Sequence, residues 1–245
     1  MKFYTFFPLA FLSVFIFCSP TFGQATDSAF RQQPLQYALS LYQKAVGDES
    51  HLYNGTQYVN YDKYFIAGHQ FYWTDEASAG GIFYDGAWYN EVPMLYDIVL
   101  DKIVLEHPNS EFLFSLVNEK VKYFTFQEHT FIRLEKDSLT GTPLKAGFYD
   151  LLHDGKIQFL AKRSKNVQEQ ATHEGMKGHF DQVIKYYIRK ENIYYPVKDK
   201  RSVLKVLPDK KKELQQYARE QKLKFGKNRE KAILQLTQYY DKPTS

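Results

Sequence analysis

The chain has 245 residues, 17% of them aromatic, and a formal net charge of +4. Its one cysteine, Cys18, lies near the N-terminus, so the rest of the chain can form neither a disulfide nor a thiolate metal site, and stability must come from a packed core. The length suits one large domain, or a domain with an appendage.

The first residues carry the pattern of a secretory signal. Lys2 is a short positive region, residues 6–17 are mostly apolar, and Thr21-Phe22-Gly23 places small residues three and one before a cut. The predicted signal is therefore 1–23, with a cut after Ala25 as the alternative. A membrane span needs ~20 apolar residues, more than this segment offers. Lipidation at Cys18 is disfavoured, because Phe15-Ile16-Phe17 has no small residue at the cleavage position. Beyond the signal no apolar run reaches spanning length. The expectation is an exported protein, periplasmic or extracellular, whose mature chain does not span a membrane and does not meet nucleic acid.

Residues 24–199 are predicted to form a β domain preceded by one helix. That helix covers 34–47, with Leu35, Ala38, Leu39, Tyr42, Ala45 and Val46 on one face, Pro34 in its first turn and Gly47 as its C-terminal cap. Asn54-Gly55 reads as a turn. From 58 to 198 short aromatic and β-branched runs alternate with turn clusters. Candidate strands are 58–61, 69–73, 82–84, 87–91, 95–100, 102–106, 112–116, 121–126, 130–134, 147–153, 156–162, 184–189 and 193–197. Short links between them argue for an antiparallel meander, closed as a barrel or folded into two packed sheets.

Two hairpins stand out. Asp85-Gly86 tolerates the positive φ of a two-residue turn, which sets Tyr84 opposite Ala87, Phe83 opposite Trp88 and Ile82 opposite Tyr89. Asp154-Gly155, read in the same way, sets Leu152 opposite Ile157, Asp150 opposite Phe159 and Phe148 opposite Ala161. Residues 164–180 are polar, contain Gly175 and Gly178, and read as a long loop.

Residues 200–245 form a basic helical tail, with 13 Lys or Arg against 5 Asp or Glu, whereas 24–199 carry 18 against 23. Ser202 suits the cap of a short turn through Leu207. Helices then begin near Pro208 and near Asn228, with Leu214, Tyr217 and Ala218 on one apolar face and Ala232, Ile233, Leu236, Tyr239 and Tyr240 on the other. The expected pair is an αα-hairpin packed on the β domain. The fold class expected is thus α+β: N-terminal helix, antiparallel β-meander and C-terminal αα-hairpin.

Chemical motifs are sparse. Neither GxxxxGK[ST], GxGxxG nor GxSxG occurs, so nothing calls for a nucleotide or another cofactor. His173-Glu174 with His179 has metal-ligand types at the wrong spacing, since six residues separate the histidines where a zinc helix uses four, and no metal site is assigned. Asp85, Asp97, Asp101 and Asp150 are candidate acids for glycoside chemistry, which needs a carboxylate pair ~5–10 Å apart. Asp85 is accounted for by its turn. Asp97 and Asp101 share a face if 95–101 is one strand, and Asp150 sits on an apolar face. Tyr84, Trp88 and Tyr89 are the first candidates for a binding surface, because exposed aromatics stack on sugar rings or hold lipid or peptide.

The pattern Leu52-Tyr53-Asn54-Gly55, Tyr84-Asp85-Gly86, Leu95-Tyr96-Asp97 with Asp101, Gly147-Phe148-Tyr149 and a Lys-rich helical end resembles an uncharacterised family of exported proteins from Bacteroidota-type bacteria. The resemblance covers nearly all of the chain after the signal and implies the envelope or exterior of a Gram-negative cell. It brings no activity or catalytic residue. It also implies that Asp27-Ser28-Ala29 and Asp137-Ser138-Leu139 fit a short O-glycan acceptor pattern. Two functions are expected: a non-enzymatic envelope protein that binds an unknown ligand or protein partner or serves a structural role, which the sequence favours, and a secreted glycan-active hydrolase using a carboxylate pair.

Overall fold

The computed structural model describes residues 51–107, 110, 112–136 and 144–242. The predicted signal, the predicted helix at 34–47 and both acceptor triplets lie outside the described residues. The described elements in chain order are β1 (Thr56–Gln57), β2 (Ile66–Ala67), β3 (Ser78–Tyr84), β4 (Ala87–Asp97), β5 (Lys102–Glu106), β6 (Leu113–Ser115), β7 (Val121–Phe126), β8 (His129–Leu134), β9 (Gly147–Asp154), β10 (Gln158–Thr172), β11 (Gly175–Lys190) and β12 (Ile193–Val197). Three helices follow: α1 (Lys200–Val206), α2 (Lys211–Glu220) and α3 (Arg229–Asp241).

All twelve strands belong to one sheet, in the order β1-β6-β5-β4-β3-β7-β8-β9-β10-β11-β12, with β2 added in parallel to β11. This corrects the expected fold class. The chain is mostly β, built on a single sheet in place of a barrel or two packed sheets, and its described helices are three C-terminal ones instead of an αα-hairpin. The physical reason lies in how one face of the sheet is covered. Along β3, β4, β5, β7 and β8 that face buries Ile82, Tyr84, Met94, Tyr96, Ile103, Phe124, Phe126 and Phe131 against one another. Along β9 to β12 it buries Phe159, Ala161, Ile188 and Val197 against Val203, Leu207, Leu214, Ile233 and Leu236 of the helical region. The sheet also curls, so that the backbone N–H of Lys165 in β10 reaches the carbonyl of Ile98 after β4 at 3.1 Å. Curling and helices together cover the face, and no second sheet is needed.

The first hairpin has the register its turn dictates: Tyr84 opposite Ala87, Phe83 opposite Trp88 and Ile82 opposite Tyr89. Asp85 and Gly86 both have positive φ, at 49° and 85°. The second hairpin differs. Three residues, Gly155 to Ile157, connect the strands, and a bulge follows Phe159, so Ala161 lies opposite Asp150 and Leu160 opposite Leu151. A Cβ at Gly155 would sit 2.0 Å from the Asp241 carboxylate, which closes on His153 Nε2 at 2.6 Å and fastens the end of α3 to β9.

Residues 164–180 are strand, not loop. β10 and β11 pair without a break from Gln158–Arg189 to Thr172–Gly175, around His173-Glu174 at the tip. Most side chains at the far end of this hairpin are exposed on both faces, so no apolar alternation marks them in the sequence. Residues 98–100, read as the end of a strand, belong to a turn: Asp97 Oδ1 accepts from the N–H of Val99 at 2.8 Å and of Leu100 at 2.9 Å. Asp199, not Ser202, caps α1. Ser202 sits three residues on, and the two exchange hydrogen bonds in a capping box.

The helices owe their position to burial. Leu236 of α3 is fully buried among Leu214, Ile233 and Phe159. Leu236→Ala is expected to lower unfolding stability by about 3 kcal/mol, from lost transfer energy and a residual cavity; a urea melt measures it, and a loss under 1 kcal/mol would show that the helices are loosely held.

Candidate functional site

Alternation along the first hairpin decides which aromatics reach the surface. Tyr84 is 0% exposed and faces the core, and Tyr89, half-buried, packs against the same cluster. Trp88 points to the other face with Phe83. The structure therefore does not gather Tyr84, Trp88 and Tyr89 on one surface. It groups Trp88 with Phe83 and with Tyr123 of the neighbouring β7. Phe83 and Tyr123 stack with ring centroids 5.4 Å apart and planes 14° apart, and Trp88 stacks on Tyr123 at 5.4 Å and 25°. At that distance near-parallel rings overlap with an offset. Gly81 makes the arrangement possible: a Cβ there would sit 2.2 Å from Trp88 Cζ2. The edge of the indole thus occupies the space that a side chain on β3 would fill.

The candidate acids are buried and bonded. Asp97, 0% exposed, accepts from the phenols of Tyr58 and Tyr61, both at 2.8 Å, besides its two turn N–H groups. Gln70 extends this network to Tyr58 and Asn60. Of these four donors, the two phenols fasten segment 58–71 to the end of β4, and the two N–H groups close the turn that follows it.

Asp101 has different partners. It accepts from Tyr96 Oη at 2.6 Å, Lys162 Nζ at 2.6 Å and the N–H of Phe148 at 3.2 Å. A Cβ at Gly147, whose φ is +141°, would sit 2.0 Å from this carboxylate. Burial holds the Lys162 ammonium below its ordinary value, with Asp101 pulling the other way. Asp97 and Asp101 thus belong to separate networks.

Asp150 anchors a third network, at the seam between the two core clusters. Arg163 reaches its Oδ2 through Nε at 2.7 Å and Nη2 at 2.6 Å, and His129 Nδ1 lies 2.9 Å from the same atom. The guanidinium also meets Glu230 of α3, with both contacts at 3.1 Å, and lies over the Tyr72 ring at 5.8 Å. Burial alone would lower the Arg163 value; Glu230 and Asp150 outweigh it and hold the charge. Asp150 Oδ1 is buried with no hydrogen-bond partner among the described residues. Asp85 is different in kind, an exposed turn residue paired with Lys120 at 2.8 Å.

Sequence reasoning missed Phe83, Tyr123, His129, Lys162, Arg163 and Glu230. A signal existed for two of them: Lys162 and Arg163 interrupt an apolar strand that adjoins the strand carrying Asp150. Of the metal-type residues, His173 lies at the β10–β11 tip and His179 pairs with Asp181 at 3.2 Å. Among the described residues no three His, Cys, Asp or Glu side chains gather to hold a metal, and no described helix is long and apolar enough to cross a membrane. Comparison of the chain with protein-family models, curated proteins and solved structures returns no match.

Two expected outcomes follow from these networks. Asp150→Asn leaves Arg163 buried with half its compensation, and should cost about 3–5 kcal/mol of stability. Arg163→Met combined with Asp150→Asn should recover part of that loss in a double-mutant cycle of urea melts. The second concerns alkaline pH. Burial first, then the Asp97 carboxylate they donate to, hold Tyr58 and Tyr61 well above the ordinary phenol value of 10.0. Burial lifts Tyr72 to about 12 against the pull of Arg163. A raised folded value gives stability that is complete below pH 10 and is lost as pH climbs through the folded values. Lys162 and Lys165, held low by burial, act in the opposite sense below pH 10.5. Urea midpoints should therefore fall between pH 10.5 and 12, while absorbance at 295 nm shows tyrosines that ionise late.

Proposed function

We propose that this is an exported, non-enzymatic binding protein of the bacterial cell envelope, of the Bacteroidota-type family its motifs resemble, and that it holds the sugar rings of an envelope glycan on the Trp88–Tyr123–Phe83 face. The observation that carries the reading is the preformed stack: three half-exposed rings, overlapped and braced on the glycine-bare backbone at Gly81. Rings held in place before a ligand arrives lose little side-chain freedom on binding. Their faces suit the apolar C–H face of a pyranose. The hydrolytic alternative has less support, because Asp97, Asp101 and Asp150 each accept from internal donors and sit in separate networks.

Trp73 and Trp88 are the two tryptophans of the chain. In a Trp73→Phe background, Trp88 becomes the single indole reporter. Titration with soluble peptidoglycan fragments and other envelope oligosaccharides should give a saturable change in its emission. Adding Tyr123→Ala should weaken that binding at least tenfold with the thermal midpoint little changed. No response to any glycan class would overturn the reading.

A further inference from the structure

Among the described residues, one edge of the sheet is open in its middle. β2 and β12 both pair with the same side of β11, β2 at Gly178 and His179 and β12 from Tyr186 to Lys190. The other side of β11 is paired throughout with β10, in unbroken register. The N–H of Gly178 donates away from β10, to the Phe65 carbonyl at 2.9 Å. In regular antiparallel pairing every second residue shares that direction, so Gln182 and Ile184 also turn N–H and C=O outward. Neither residue has a backbone partner on that side among the described residues. Gln182 is exposed and Ile184 half-buried. The open groups repeat every ~7 Å, the two-residue period of a strand.

A cavity of ≈ 350 Å³ lies at the β12 end of this gap. Its apolar wall is Ile184, Tyr186, Pro196 and Val197, and its cations are Lys185, Lys198 and Arg229. Through Pro196 and Ser202, and then Lys205, it adjoins a second cavity of ≈ 560 Å³ on α1 and α2 that is lined by Lys200, Arg201, Lys205 and Lys211. No carboxylate lines either of these two cavities among the described residues; the stretch between them contributes Glu191. Of the acidic groups in the helical region, Asp199 is engaged in its capping box, Asp209 by Lys190 and Tyr240, and Glu230 by Arg163.

We propose that the open edge of β11 takes an extended, acidic peptide segment of a partner protein as a short added strand. An apolar side chain of that segment fills the cavity at Ile184 and Val197, and its carboxylates follow the cations onto α1 and α2. The unpaired backbone groups favour a polypeptide over an anionic polysaccharide, which would match the charge but not the ladder. The polar side chains at Gln182 and Lys185 keep neutral apolar strands off this edge, as charged residues on sheet edges do. The partner's chemistry is therefore read from two separate features, hydrogen-bond direction and charge.

The test uses the full chain and a fluorescein-labelled ten-residue peptide of alternating valine and glutamate. Anisotropy should report saturable binding, weakened at least tenfold by Gln182→Pro and by the double variant Lys198→Glu/Arg229→Glu. Gln182→Pro deletes only an outward N–H on a sheet edge, so its thermal midpoint should stay close to that of the parent chain. Should that variant fail to fold, amide exchange on the parent chain decides: the bound peptide must slow exchange at Gln182 and Ile184. Equal binding of a valine–lysine peptide, unchanged binding in a folded Gln182→Pro, binding without protection of those amides, or no binding would each overturn the proposal. So would displacement of the peptide by a second copy of the chain, seen as a concentration-dependent dimer in sedimentation.

Discussion

Arg163 is the residue on which the two halves of the buried face depend. Its guanidinium is 6% exposed and lies between a carboxylate on β9 and one on α3. Taking such charges from water costs several kcal/mol per ion, and only close, multiply bonded geometry repays it. Here the geometry is close: four N···O contacts of 3.1 Å or less tie Arg163 to Asp150 and Glu230. Tyr72 lies against the guanidinium, and His129 adds a contact to the same Asp150 oxygen. An apolar seam could slide. An ion pair of this kind tolerates one placement of α3 over the sheet, so the arrangement favours specificity over gross stability.

On either side of that seam the aromatic content becomes structure. Tyr96, Phe124, Phe131 and Phe148 meet with centroids 4.8 to 6.1 Å apart, in stacked and edge-on pairs. Large rings on adjacent strands let one curled sheet fill its own concavity. Beyond Cys18 the chain has no thiol, so this packing has no covalent support. Tyrosines also carry polar tips into the interior, where Asp97 and Asp101 receive them. The buried carboxylates and the tyrosine-rich core are two parts of one solution, each satisfying the other's hydrogen bonds.

What the sequence made legible was local. The Asp85-Gly86 hairpin was readable because two residues with positive φ admit one register. The Asp154-Gly155 hairpin was misread by the same rule, since a third connecting residue and a bulge leave no trace in composition. The β10–β11 arm escaped detection because both of its faces meet water, which removes the alternation that identifies a strand. Asp97 ends β4 and is also the pivot of the turn that follows, a role set by where its side chain points. Arg163 and Glu230 are 67 residues apart, and no pattern along the chain connects them. The binding candidates all lie on one hairpin, and the parity of the pleat puts Trp88 and Tyr84 on opposite faces of it.

The division of the buried face has a consequence for the order of assembly. The first cluster draws on residues from Leu52 to Phe148, and the second on residues from Leu152 to Tyr240. A chain that emerges from its N-terminus completes the first set before most of the second exists. Asp150 then waits at the boundary for a cation supplied thirteen residues later, and for a helix later still. Until α3 docks, β9 to β12 expose one apolar face. The final helix therefore acts as the closing step of folding, and damage near the C-terminus would strand the protein half-finished rather than merely shortened.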